Sequence, residues 1–157
     1  MASEIRTKII ATKQLLTITL ASLANNAARQ STMVANANNY PAALIYAKLT
    51  TGTAPTANTT YEIYLLRGDD ASASTYRTDG AGAADAAITI QNAKLLDTIL
   101  LPATANTAFF VECTTEMLGP LGPEWGIAVK NAATGQAVNS NATLSFVEYA
   151  YYVPEAQ

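Results

Sequence analysis

An all-β sandwich is the fold class this sequence predicts. The larger apolar residues alternate with polar ones over short segments, the period of a strand that buries one face. Clusters of Gly, Pro, Asn and Thr separate those segments at short intervals, as they do in sandwiches and barrels. No segment of useful length beyond residue 15 carries helical periodicity. At 157 residues the chain is long enough for one domain with a real core. The expectation is a jelly-roll or Greek-key β-sandwich of about eight strands, with an N-terminal arm over residues 1–14 and a single domain over 15–157.

Taken in order, Leu16, Ile18 and Leu20 alternate with Thr17, Thr19 and Ala21 and predict a first strand, followed by a turn at Asn25-Asn26. Residues 29–35 suit a polar strand near an edge, and 36–41 form a break. ALIYAKLTT (43–51) and TYEIYLL (60–66) predict two firm strands joined by a long loop containing Pro55. Residues 68–85, rich in Ala, Ser, Gly and Asp, read as an exposed loop. Strands follow at 87–91 and at 95–101, the latter ended by Pro102, and TAFFVECT (107–114) predicts another. The stretch EMLGPLGPEWG (116–126) holds two prolines and three glycines and reads as an irregular connection with Trp125 at its end. Residues 127–131 continue as a strand, and a loop around Gly135 leads to the longest alternating segment, 142–153, stopped by Pro154. There Leu144, Phe146, Glu148, Ala150 and Tyr152 share one face, and Thr143, Ser145, Val147, Tyr149, Tyr151 and Val153 share the other.

Composition narrows the chemistry. The chain has no histidine, the usual general base and commonest metal ligand, and only 13% of its residues are charged. The surface is therefore built from Ala, Thr, Asn and Ser, which suits packing against protein more than steering a charged substrate. A net charge of −3 with scattered Lys and Arg argues against direct nucleic-acid binding. No apolar run approaches the ~20 residues of a membrane span. Lys8 and Lys13 ahead of residues 15–24 loosely imitate a signal peptide, but Glu4 and the interrupting threonines favour a strand. The single cysteine, Cys113, excludes an intrachain disulfide and reads as a small buried hydrophobe.

Several constellations offer groups that could carry chemistry. Asp69, Asp70, Asp79 and Asp85 offer oxygen ligands of the kind Ca²⁺ takes, but their spacing fits no EF-hand pattern and they read as solvated loop residues. Arg67-Gly68-Asp69 spells an integrin-recognition tripeptide and reads as an ordinary turn opening. Asn58-Thr59-Thr60 and Asn141-Ala142-Thr143 match glycosylation acceptors, which matter only on a secreted eukaryotic chain. Glu62, Glu112 and Glu148 each sit mid-strand between apolar neighbours and point outwards by alternation; Glu116 and Glu124 complete the carboxylates weighed as a hydrolytic pair. A solvated or inter-subunit role fits them better, and with Tyr and Trp nearby a sugar-binding face is the alternative. Eight tyrosines against three phenylalanines tilt the aromatics towards interface use, with Tyr149 and Tyr151 the first candidates. No catalytic, cofactor or metal residue emerges.

The segments LTITLASLANNAARQST (16–32), TYEIYLLRGDD (60–70), EWGIAVKNAATG (124–135) and LSFVEYAYYVPE (144–155) give most of the chain an Ala/Thr/Asn-rich all-β style. In that style it resembles the capsid decoration, or cement, proteins of tailed bacteriophages. The resemblance implies a non-enzymatic virion protein on the capsid exterior, a homotrimer that bridges major capsid protein subunits. It further implies that the arm, with Arg6, Lys8 and Lys13, meets an acidic capsid surface, while Tyr149 and Tyr151 meet other copies. A carbohydrate- or receptor-binding sandwich of a phage tail, baseplate or fibre is the competing expectation.

Overall fold

The computed structural model describes residues 5–9, 12–69, 79 and 82–156. Among them are eleven strands, β1 (Ile5–Ile9), β2 (Gln14–Leu16), β3 (Ala28–Gln30), β4 (Val34–Ala35), β5 (Ala42–Thr50), β6 (Thr59–Gly68), β7 (Ala86–Ile88), β8 (Lys94–Leu101), β9 (Ala108–Thr114), β10 (Glu124–Ala132) and β11 (Phe146–Ala156). The one helical turn among the described residues is a 3-10 turn at Glu116–Leu118. The strands form two antiparallel sheets packed face to face, so the predicted β-sandwich is the fold. One sheet runs β1-β11-β5-β9, with β2 also on β11; the other runs β7-β3-β10-β6-β8, with β4 also on β10.

Strands β5, β6, β8 and β9 form where alternation is strongest, within one or two residues of the predicted bounds. Their β-branched and aromatic side chains suit a pleated, half-buried surface. β10 starts earlier than expected, because Glu124 and Trp125 pair with Gly68 and Arg67 of β6 on one side and with Ala35 and Val34 of β4 on the other. The predicted strand at 29–35 splits into β3 and β4. Residues 31–33 stand opposite Gly126 and Ile127 of β10, three residues against two, which is a bulge. Asn26 takes φ 62° at the predicted turn, a left-handed conformation that Asn tolerates.

The arm expected over residues 1–14 is, from residue 5, partly sheet. β1 pairs with the end of β11 (Ile9 opposite Tyr152, Ile5 opposite Ala156) and β2 with its start (Leu16 opposite Val147). β1 and β2 thus lie along the same edge of β11, on either side of Ala150 and Tyr151. Pro154 does not stop β11. β5 ends at Ala42 opposite Tyr152, and beyond that point β11 has a neighbour on one side only, where a residue without an N–H is tolerated.

The core lies between the sheets and is centred on Trp125, which is fully buried. Val147, Tyr149 and Tyr151 of β11 and Ile45 and Leu49 of β5 face Ile63, Leu65, Ile127 and Val129 of the opposite sheet. Each such aliphatic side chain contributes about 1.5–3 kcal/mol by leaving water. The Trp125 ring meets Tyr149 edge-on (centroids 5.0 Å, 89°) and Tyr151 at 6.0 Å, and its Nε1–H donates to the Tyr151 hydroxyl at 3.1 Å. Tyr40 closes the cluster against Tyr151 at 4.3 Å. Tyr149 and Tyr151, expected at an interface, are therefore interior residues. Both faces of β11 carry aromatics, and the face that finds Trp125 turns inward.

Replacing Tyr151 by Phe removes the acceptor and leaves the buried Trp125 N–H unpaired. The expected loss is about 1–3 kcal/mol of unfolding free energy with no change of fold. Urea denaturation followed by tryptophan fluorescence reads it directly, and an unchanged midpoint contradicts the role given to this bond.

Candidate functional site

The inward turn of Val147, Tyr149 and Tyr151 forces Phe146 and Glu148 onto the outer face of the β1-β11-β5-β9 sheet. Strand register then assembles two cross-strand rows. Phe146, Lys48 and Phe110 lie side by side on β11, β5 and β9. The adjacent row runs Leu15, Glu148, Tyr46 and Glu112, from β2 to β9. Directly opposed side chains of this kind are in contact range. Apart from Leu15, the residues of both rows line an open groove of ≈ 410 Å³, and Lys13 lines it too.

Positive charge on this face is held by aromatic rings. The Lys13 ammonium sits 3.8 Å from the centre of the Tyr46 ring. Lys48 lies 5.7 Å from both the Phe110 and the Phe146 ring. Such contacts are each worth about 0.5–1 kcal/mol at exposed sites. Glu112 and Glu148 flank Tyr46 from its two neighbouring strands, and neither has a hydrogen bond or ion pair among the described residues. Partial burial, with the Glu112 charge as a second cause, raises the Tyr46 phenol above its ordinary pKa. The face is also apolar at its rim: Phe110 is 73% and Leu15 66% exposed. It can therefore bind by stacking, apolar contact and charge pairing.

The residues expected to carry contacts are dispersed. Lys13 belongs to this face. Lys8 is exposed on β1, and the Arg6 backbone pairs with Glu155, away from the groove. Tyr149 reaches the groove's strand only from inside, its hydroxyl donating to Gln14 Oε1 at 2.7 Å. Glu112 and Glu148 point outwards as alternation predicted. Glu62 does too, but it is engaged: the Tyr64 hydroxyl donates to it at 2.6 Å and Lys130 lies 3.4 Å away. Glu124 is buried, contrary to its expected place in an irregular connection.

The acidic loop is likewise not simply solvated. Asp79 is buried and accepts the backbone N–H groups of Gln91, Asn92 and Ala93 at 3.1, 3.0 and 2.7 Å. Asp85 pairs with Arg29 and accepts from the Thr19 N–H and hydroxyl. Gln30, fully buried, donates to the carbonyls of Gly82 and Ala84 at 2.7 Å each and pins that end of the loop to the outer side of β3. Asp70 lies outside the described residues. Among those described, no group of three or more Cys, Asp and Glu is placed to hold a metal. Arg67 donates to the carbonyls of Leu118 and Gly119 at 2.6 and 2.9 Å, which ties the tripeptide's arginine to the 3-10 turn.

Tyr46, Phe110 and Phe146 escaped the sequence reading as a set. They are far apart along the chain and meet only through strand register, which local periodicity does not reveal. No family model matches this chain, and no curated protein matches it in sequence.

Cys113, on the inner side of β9 next to Glu112, packs against the core. Burial, then the charges of Asp97 and Glu112, push its thiol from 9.0 to about 12. Burial similarly raises the phenols of Tyr61 and Tyr151 from 10.0 to about 12. These groups hold their protons more tightly folded than unfolded. Their contribution is complete below pH 9 and is lost as pH rises from there to about 12. The urea midpoint at pH 10.5 is therefore expected below that at pH 8, with Cys113 alkylated far more slowly than free cysteine at pH 8. Equal midpoints and rapid alkylation contradict this placement.

Proposed function

We propose that the protein is a non-enzymatic structural component of a phage virion, one that binds the outside of the capsid and bridges major capsid protein subunits. The observation that carries this reading is the outer face of the β1-β11-β5-β9 sheet. It leaves Phe110 and Leu15 in water beside Tyr46 and Phe146, an apolar patch of the kind that marks a protein-binding surface. The composition supports it: a chain with few charges and a Thr- and Asn-rich surface suits burial between subunits. The resemblance to decoration proteins gives the partner its identity.

A second surface fits contacts between copies. On the outer side of β8, at the edge of the other sheet, Leu100 is 64% and Leu95 48% exposed. An edge strand with apolar residues in water is a template for association. In this reading β8 helps to join the protein into a trimer while the outer groove meets the shell.

The groove itself favours one competing reading. Aromatic rings beside Glu112 and Glu148 are also the ingredients of a sugar platform, as in a carbohydrate- or receptor-binding module of a tail, baseplate or fibre.

Sedimentation of the purified protein, followed by rebinding to capsid shells that lack it, separates the two. A trimer that saturates shells at a fixed ratio to the shell protein is the expected result. A monomer that ignores shells and binds a defined glycan overturns the capsid reading.

A further inference from the structure

We propose that the outer groove recognises a basic side chain, a lysine or arginine on an exposed segment of the partner protein, and that Lys13 is an internal stand-in for it. The inference rests on reading this face as the binding face and adds the chemistry of what it takes. Tyr46 presents its ring to an ammonium at 3.8 Å, so the position is already shown to hold a cation. Glu148 and Glu112 stand on either side of that ring, on the cross-strand partners of Tyr46. Neither carboxylate forms an ion pair with Lys13 or with any other described residue. One ring and two carboxylates thus surround a seat whose present occupant uses only the ring.

A partner cation entering this seat adds the two charge pairs that Lys13 does not make. Lys13 is well placed to yield, since it is exposed and precedes β2 with no ladder partner opposite it. The neighbouring row supplies the rest of a docking surface. Phe110 and Phe146, on either side of Lys48, offer apolar contact to the residues flanking the basic one. The chain's net charge of −3 favours approach of a basic segment over an acidic one. This reverses the expectation that Lys13 meets an acidic shell surface.

The test is titration of the full chain with acetyl-Gly-Lys-Gly-amide and its arginine counterpart, with acetyl-Gly-Gln-Gly-amide as control, followed by the amide resonances of β5 and β9. The Lys13→Ala variant is expected to bind the basic peptides about fivefold more tightly than the parent, the equivalent of one exposed cation–π contact released. Lys8→Ala, which removes the same charge outside the groove, is expected to change nothing. Glu112→Gln/Glu148→Gln is expected to weaken binding by a similar factor and to flatten its salt dependence. All these positions lie at the surface, and thermal melts verify that each variant folds. Equal effects of Lys13→Ala and Lys8→Ala, or undiminished binding by the double glutamine variant, overturn the proposal. So does a glycan that shifts the same resonances when the peptides do not. Shell binding that survives the double glutamine variant refutes the basic partner alone. Failure of the parent chain to bind shells, with the peptide results as expected, refutes the capsid role alone.

Discussion

The two-residue period of β11 is the constraint from which both the core and the outer groove follow. One set of its side chains, Val147, Tyr149 and Tyr151, closes on Trp125 between the sheets. The alternate set, Phe146 and Glu148, is left outside. A slip of one residue exchanges the two sets. It places Glu148 against the core and Tyr151 in water, so the hydrogen bond from Trp125 to Tyr151 favours the register that leaves Phe146 and Glu148 outside. β11 is flanked by β5 on one side and by β1 and β2 on the other, so its register passes to every strand of that sheet except β9, which follows through β5.

The opposite sheet is held in a different way. Its outer side is partly covered by its own chain, through Gln30 to the carbonyls at 82 and 84, while Asp85 ties the same stretch to Arg29 and Thr19. Carboxylates that accept backbone N–H groups form strong, charge-assisted bonds, and here they fasten loops where a larger core would otherwise be needed. One sheet therefore spends its polar groups on its own loops, while the other leaves Glu112 and Glu148 unengaged beside exposed rings. The proposal that the β1-β11-β5-β9 sheet is the side that meets a partner rests on that asymmetry.

Much of the fold was legible in the sequence because alternation is local. β5, β6, β8 and β9 follow directly from their apolar periodicity, and the outward direction of Glu112 and Glu148 follows from the same rule. What escaped depends on distance. Two-sided aromatic patterning in β11 predicts two faces without saying which is inside, since that is decided by Trp125, more than twenty residues away. β10 begins at Glu124 despite its Gly- and Pro-rich approach, because partners on β4 and β6 complete its hydrogen bonds. Asp79 and Asp85 look like solvated loop residues until their donors are brought to them by tertiary structure. The groove is the clearest case: Tyr46, Phe110 and Phe146 sit on three strands, and no window of sequence contains them together.

The claim on which the functional account turns is that this outer face is the one covered when the protein is at work. Hydroxyl-radical footprinting of the free protein and of the protein on capsid shells tests it at the level of single side chains. The account predicts that Tyr46, Phe110 and Phe146 react in the free protein and are protected on shells. Unchanged reactivity of those three rings, with protection confined to Leu95, Leu100 or the highly exposed Met117, contradicts it.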